Sequence, residues 1–120
     1  MLDSRAAAQT YCYLETTGRV SGRPHVVEMW FAADPARNRV YMLSGGRDES
    51  DWVLNIRHDG RVRLRVANQT LTGNARWIED EEDDPLARRL LAAKYQEWRQ
   101  GKRLSSWARS SLPVAVDLDG

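Results

Sequence analysis

The sequence predicts an α+β domain of about six short antiparallel strands with one short and one long helix. Three observations indicate this fold class: six short runs rich in β-branched, aromatic and apolar residues, a single long amphipathic run near the C-terminus, and a length of 120 residues. That length suits one domain, so residues 1–120 are expected to share one core. Many short strands in a small chain favour a barrel or a sandwich.

The strands are expected at 10–16, 25–33, 39–44, 61–66, 70–78 and 113–118. The first and second runs, and the second and third, are predicted to be antiparallel neighbours. The run 61–66 is the clearest, because its three arginines alternate strictly with valine and leucine, which gives one apolar and one cationic face. Its hairpin partner follows a turn at Asn68–Gln69, and Gly73 is interpreted as a β-bulge.

The short helix is predicted over 51–57, with Ser50 or Asp51 as its N-cap. The long helix is predicted over 85–100, because Pro85 suits the first helical position and Gly101 follows the last one. Asp84 would cap this helix. Its apolar stripe would include Trp98, and Arg88 would face solvent on the opposite side.

Composition excludes several function classes. One cysteine, Cys12, excludes an internal disulfide framework and a multi-cysteine zinc site, and a net charge of +1 argues against a general polyanion binder. No signal peptide and no membrane span is visible, so a cytoplasmic protein is expected. The acidic run 79–84 is interpreted as an exposed loop whose last acids serve the next helix, and a metal site is the less favoured alternative.

Two glycine-containing turns could bind an anion. The first, 16–24, combines two glycines, hydroxyl side chains and two arginines, and such turns let backbone N–H groups and a guanidinium converge on a phosphate. The second, Ser44–Arg47, lies shortly before the predicted short helix, whose N-terminus favours negative charge. Each turn could equally be an ordinary polar loop, but two in one small chain make a phosphate-bearing ligand more credible.

Other side chains give weaker signals. His25 and His58 lack the spacing of a metal or general-base site, and no nucleophilic triad is legible. Of the five tryptophans, three are expected in the core or at a subunit contact, namely Trp77, Trp98 and Trp107. Trp30 and Trp52 could serve either the core or a ligand. The arginines of the strand 61–66 could bind nucleic acid, although salt bridges to a neighbouring strand or to a partner subunit would explain them as well.

Two segments, TTGRVSGRPHVVEMWF and SGGRDESDWVLNIRHDGRVRLRV, resemble the deazaflavin-dependent nitroreductase-like oxidoreductases. The likeness extends from about Leu14 to the final LPVAVDLD. The resemblance implies a split β-barrel that binds coenzyme F-420, pairs as a homodimer, and passes a hydride to a small electron-poor acceptor such as a quinone, nitroaromatic or enone. An FMN-binding oxidoreductase of the same fold and a non-catalytic cofactor- or nucleic-acid-binding module remain alternatives, with nucleic acid the less expected partner.

The resemblance also assigns cofactor-binding residues. The cofactor phosphate or its acidic tail would be held by Arg19, Ser21, Gly22 and Arg23. Pro24, His25 and the strand after them would lie along the ring, and the pocket would be closed by Ser44, Gly45, Gly46, Trp52 and Asn55. No catalytic side chain and no metal is expected, because direct hydride transfer requires neither.

Overall fold

Seven strands form one antiparallel sheet in the computed structural model, which describes residues 1–120. They are β1 (Cys12–Thr17), β2 (Pro24–Met29), β3 (Ala32–Asp34), β4 (Arg39–Ser44), β5 (Arg61–Val66), β6 (Gln69–Trp77) and β7 (Leu112–Leu118), in the order β2-β1-β5-β6-β7-β4-β3. The two edge strands β2 and β3 are joined by only Trp30 and Phe31, so the sheet curls until its edges approach each other. The predicted α+β fold with a split barrel is confirmed.

Four helices accompany the sheet: α1 (Ser4–Ala7), α2 (Asp51–His58), α3 (Asp83–Tyr95) and α4 (Ser106–Ser110). Short 3-10 turns occupy Pro35–Arg37 and Arg47–Glu49. None of the helices has the length and apolar character needed to cross a bilayer. The prediction of one short and one long helix was incomplete, because it missed α1 and α4, each of only one to one and a half turns.

The predicted strand 25–33 was wrong as a single element, since it divides into β2 and β3 and raises the strand count to seven. The division has a physical cause at Phe31. Its backbone N–H donates to the Tyr95 hydroxyl at 3.0 Å, and its carbonyl accepts from Lys94 Nζ at 3.0 Å. Side chains of α3 therefore satisfy the backbone groups that a neighbouring strand would otherwise pair with.

The predicted bounds of the long helix were also wrong. The helix begins earlier because the Asp80 carboxylate accepts the N–H of Asp83, so the first turn forms before Pro85. It ends at Tyr95, and Glu97 then adopts a left-handed φ of 55°. Trp98 consequently lies outside α3, where its indole N–H donates to a nearby backbone carbonyl.

Arg88 does not face solvent as predicted. Its side chain is 16% exposed, and Nη1 donates to the carbonyls of Ala108, Arg109 and Ser111 at 2.8–3.0 Å. Those carbonyls end α4, so Arg88 caps that helix from α3.

No bulge occurs at Gly73, which pairs in register with Val62. The turn of this hairpin is Ala67–Asn68, one residue earlier than predicted, with Ala67 at a φ of 53°. Gly73 serves a close approach instead, because a Cβ there would lie 2.5 Å from the carbonyl oxygen of Asp117 on β7.

Two apolar clusters hold the fold together. One fills the curled sheet and includes the alternate residues of β5, which confirms the predicted apolar face of that strand. The other lies between α3 and the outer face of β4 and β7, where it contains Tyr41, Leu43 and Leu91. The outer helix therefore covers only the half of the sheet that carries β3, β4 and β7.

The acidic run 79–84 is mostly engaged in ion pairs, so its interpretation as an exposed loop was incomplete. The deepest pairs join Asp83 to Arg39 at 2.8 Å and to Arg76 at 3.3 Å, and the Asp83 side chain is only 9% exposed. Burial alone would lower the pKa of Arg39, but hydrogen bonds with Tyr41 and Asp117 outweigh it and raise that pKa. The run thus ties α3 to the sheet.

Candidate functional site

A polar cleft of about 250 Å³ opens between the β1–β2 connection and α2. It is lined by Gly18, Arg19, Val20, Ser21, Arg23, Pro24, His25, Asp51 and Asn55. The fold therefore brings together six of the predicted site residues: four from the first glycine turn, His25 directly after it, and one from α2.

The Gly18–Arg23 loop is a tight turn closed by its own backbone. Gly18 N–H donates to the carbonyl of Arg23 at 2.8 Å, and Gly22 N–H donates to the carbonyl of Gly18 at 2.8 Å. Gly22 adopts a φ of 73°, which favours glycine. The N–H groups of Val20 and Ser21 have no partner in the protein, so they are free to bind an anion.

Arg19 and Asn55 join this loop to α2. The Asn55 Oδ1 atom accepts from the Arg19 backbone N–H at 3.1 Å and from Arg19 Nη1 at 2.9 Å. Asn55 Nδ2 in turn donates to the Thr16 hydroxyl at 3.1 Å, and Arg19 Nη2 pairs with the Asp51 carboxylate at 3.1 Å. Asn55 is 3% exposed, so its role here is to hold the loop.

Two features favour negative charge in the cleft. Arg23 is exposed and forms no ion pair or side-chain hydrogen bond. The N-terminus of α2 has no side-chain cap, because the hydroxyls of Ser50 and Ser44 bond each other at 3.1 Å. Free N–H groups in the first turn of α2 therefore add to the positive potential.

The Ser44–Arg47 loop lies beside α2 and α4. Gly46 allows a close contact, since a Cβ there would lie 2.5 Å from the Ser50 hydroxyl, and a Cβ on Gly45 would touch Trp107 at 3.4 Å. The Arg47 guanidinium donates to a carbonyl of α4, which fixes that helix against the loop. Ser44 is 3% exposed, and its hydroxyl also donates to the Arg47 carbonyl at 3.0 Å.

Trp52 is placed apart from the cleft. It is 8% exposed, packs in the cluster inside the sheet, and does not line the cleft. Gly22 belongs to the loop without lining the cleft, whereas His25, exposed on β2, does line it.

An aromatic groove of about 390 Å³ opens on the other side of Gly45, lined by Trp30, Leu43, Gln96 and Trp107. Trp30 stacks on Tyr95 with ring centroids 4.3 Å apart, and Trp107 meets Trp30 edge-on at 5.3 Å. Sequence reasoning assigned Trp107 to the core or a subunit contact and left Trp30 open. The sequence offered no signal for this, because Trp30 lies inside the predicted strand 25–33. In the structure Trp30 precedes β3 and Trp107 precedes β7, and these two strands begin at the same end of the sheet.

A larger cleft of about 650 Å³ beside the C-terminal half of α2 is a weaker candidate. Its charged side chains neutralise each other, with Arg57 paired to Glu79 at 3.0 Å and Arg76 to Asp80 at 3.8 Å. It therefore offers no free cation comparable with Arg23.

Solved structures share this fold. An F420-H2 dependent reductase is 21% identical, with a TM-score of 0.65 over 92% of this chain and 95% of that one. Another structure, described as an F420 reductase, is 16% identical with a TM-score of 0.65, covering 97% of this chain and 92% of that chain. An FAD-binding protein from Mesorhizobium loti is 16% identical with a TM-score of 0.64, covering 96% and 85%. At these identities the likeness shows the fold.

Family membership rests on a separate comparison. The sequence profile of a family described as F420H(2)-dependent quinone reductase matches residues 4–119. The cofactor of that family is F-420, which decides between the two cofactors that the sequence leaves open. Because the profile spans almost the whole chain, the protein belongs to this family and is an F-420-dependent reductase.

Proposed function

We propose that this reductase holds the phosphate of F-420 in the polar cleft and receives a planar electron acceptor in the aromatic groove. One observation supports the arrangement above all: the Ser44–Arg47 loop contacts residues at both concavities, because Gly45 lies against Trp107 of the groove and Ser44 bonds to Ser50, the residue before Asp51 of the cleft. A ligand ring above this loop would lie within reach of both the polar cleft and the aromatic groove.

The residues present fit the cofactor. A phosphate would find the free N–H groups of Val20 and Ser21, the Arg23 guanidinium and the uncapped N-terminus of α2. Of the residues that the resemblance assigns, Ser21, Arg23, Pro24 and His25 are proposed to contact the cofactor, and Ser44, Gly45 and Gly46 to close the pocket beside it. The other four, Arg19, Gly22, Trp52 and Asn55, are proposed to support the loop and α2 without touching the cofactor. When bound, reduced F-420 supplies a hydride to the acceptor, and the protein orients both rings and excludes water from them.

The aromatic groove favours a quinone over an aliphatic acceptor. Its two indole rings offer apolar faces to a planar ring, and the Gln96 amide can donate to a carbonyl oxygen. Nitroaromatics and enones share the same planar, electron-poor character.

The test is the oxidation of reduced F-420 by a soluble quinone under anaerobic conditions, followed by the absorbance of the oxidised deazaflavin. Trp107→Ala should raise the KM for the quinone about tenfold, the loss expected when an aromatic contact of about 1.4 kcal/mol is removed. Its affinity for F-420 should stay within about twofold. Trp98→Ala is the matched control, because Trp98 does not line the groove.

The proposal fails if the protein binds F-420 but no quinone, nitroaromatic or enone oxidises the reduced cofactor. It also fails if FMN binds more tightly than F-420 in the same titration. If Trp98→Ala and Trp107→Ala change the quinone KM equally, the groove is not the acceptor site.

We further propose a homodimer in which a second copy covers the open side of the polar cleft. Among the residues lining that cleft, only Val20 has a branched aliphatic side chain, and it is 93% exposed, while Val26 on the adjoining edge strand is 56% exposed. An apolar ring system needs more cover than these provide. Sedimentation of the F-420 complex should give twice the mass of one chain, and a monomeric complex would contradict the proposal.

A cytoplasmic location is likewise inferred. It is supported by the free, fully buried thiol of Cys12, whose pKa burial raises to about 12. Fractionation of the producing cells is the direct test.

A further inference from the structure

The two arginines of the Gly18–Arg23 loop occupy different environments. Arg19 Nη1 lies 2.9 Å from Asn55 Oδ1 and 3.3 Å from the Asp51 carbonyl, and Nη2 lies 3.1 Å from the Asp51 carboxylate. Arg23 has no side-chain partner. The Arg19 guanidinium is therefore already bound within the protein, whereas the Arg23 guanidinium is free for a ligand.

An anion would gain little from Arg19 as it stands. The Asp51 carboxylate already balances its charge, and a phosphate placed on the same guanidinium would lie close to that carboxylate. A phosphate bound to Arg23 would meet no such repulsion from a carboxylate, because no acidic side chain pairs with Arg23.

Asn55 connects the loop to both strands that flank it. Its Oδ1 atom accepts two hydrogen bonds from Arg19, and its Nδ2 atom donates to Thr16 Oγ1 at 3.1 Å. Thr16 Oγ1 in turn donates to the carbonyl of His25, across the β1–β2 pair, at 3.4 Å. Because Asn55 is buried, these bonds exchange poorly with water and fix the loop relative to α2.

We propose that Arg19 and Asn55 are positioning residues that hold the Gly18–Arg23 loop in its anion-binding shape, while Arg23 is the cationic contact to the phosphate. The assignment of Arg23 to the phosphate rests on the proposed function, because that function identifies the ligand. The positioning role of Arg19 and Asn55 concerns the protein without cofactor and can be tested alone.

The first experiment measures amide hydrogen exchange of the cofactor-free protein. Arg19→Gln should increase exchange at the Gly18 and Gly22 amides about tenfold, because the loop loses the bonds of the Arg19 guanidinium to Asn55 and Asp51 and keeps only the backbone N–H bond to Asn55. Arg23→Gln is the matched control and should leave both rates unchanged. Equal rates in the wild type and Arg19→Gln would overturn the positioning role.

The second experiment measures F-420 affinity as a function of salt concentration. Arg23→Gln should weaken binding about tenfold to a hundredfold and flatten the salt dependence, because one charge contact is lost. Arg19→Gln combined with Asp51→Asn removes both charges of that ion pair and should weaken binding with the salt dependence kept. A flattened salt dependence in this double variant, or unchanged affinity in Arg23→Gln, would overturn the assignment.

A double-mutant cycle separates coupling from general damage. Arg19→Gln and Asn55→Leu should couple in F-420 affinity by at least about threefold, and additive effects would contradict a shared positioning role. Asn55→Leu removes the acceptor of Arg19 at nearly the same side-chain volume, so the cycle measures the loss of that contact. If the wild type does not bind F-420 at all, the proposed function fails, and the exchange experiment still decides the positioning role.

Discussion

Replacing Asp83 by alanine should lower the free energy of unfolding more than any other substitution in the acidic run 79–84. One Asp83 oxygen accepts from Arg39 Nη1 at 2.8 Å and Arg76 Nη2 at 3.3 Å, and the other accepts from the Tyr41 hydroxyl at 3.3 Å. The side chain is 9% exposed, so water cannot replace these partners freely.

The magnitude follows from what the truncation leaves behind. Removing one partner of a fully buried ion pair costs about 3–5 kcal/mol, because the other charge stays buried and unpaired. Arg39 and Arg76 here retain Asp117, and their side chains are 20% and 37% exposed. We therefore expect a smaller loss of about 2–3 kcal/mol for Asp83→Ala.

Urea unfolding followed by tryptophan fluorescence and by circular dichroism measures this loss, and coincident transitions check two-state behaviour. Glu79→Ala is the matched control in the same acidic run. Glu79 is 72% exposed and its partner Arg57 is 55% exposed, so this pair should contribute less than about 1 kcal/mol. A loss below about 1 kcal/mol for Asp83→Ala, or equal losses for both variants, would refute the reasoning.

Three further predictions concern other parts of the fold. Burial lowers the pKa of Lys94 to about 8 from its ordinary 10.5, so above pH 8 the unfolded chain holds a proton that the folded chain lacks. The unfolding free energy of the wild type should therefore rise from pH 8 to 9 by up to about 1 kcal/mol more than that of Lys94→Met. Gly73→Ala should cost about 1–3 kcal/mol in urea, because its Cβ would lie 2.5 Å from the Asp117 carbonyl oxygen. Hydrogen bonds from Arg61 and Thr72 lower the pKa of Asp119 to about 2, and Arg61→Gln should move it toward about 4 in an NMR titration.

Each of these tests has a defined contrary outcome. The Lys94 comparison stops at pH 9, because the buried Cys12 thiol, with its pKa near 12, reverses the pH dependence above the ordinary pKa of 9.0. A wild-type curve parallel to that of Lys94→Met would contradict the shift. Gly45→Ala, whose Cβ would first meet an atom at 3.4 Å, controls for the general effect of replacing glycine, and equal losses in the two variants would contradict the close approach as the cause at Gly73. An unchanged Asp119 titration in Arg61→Gln would assign its low pKa to another group.

Local pattern was enough to predict most of the sheet. The alternation in β5 and the turn residues around β4 follow from the period of two and from glycine and proline punctuation. The break at Trp30–Phe31 was not predictable in the same way. It depends on Tyr95 and Lys94, more than sixty residues away, which satisfy the Phe31 backbone.

The candidate site shows the same limit. Glycine and arginine content indicated the Gly18–Arg23 loop, but it could not tell a guanidinium bound to α2 from a free one. The distinction between Arg19 and Arg23 depends on which residue of α2 faces the loop, and that is set by the packing of Trp52 and Ile56 inside the sheet. Trp107 was missed for a similar reason, since its place against Gly45 depends on contacts that Arg88 and Arg47 make with α4 from distant parts of the chain.

The joining of the two sheet edges by Trp30 and Phe31 has an evolutionary consequence. Phe31 is fully buried in the barrel, and the neighbouring Trp30 forms a wall of the aromatic groove against Tyr95. With the acceptor in the groove as proposed, a substitution at either position would disturb folding and ligand choice together. Gln96 follows the end of α3 and belongs to neither apolar cluster, so new acceptor preferences should arise in this lineage by mutation at that position while the strand junction stays fixed.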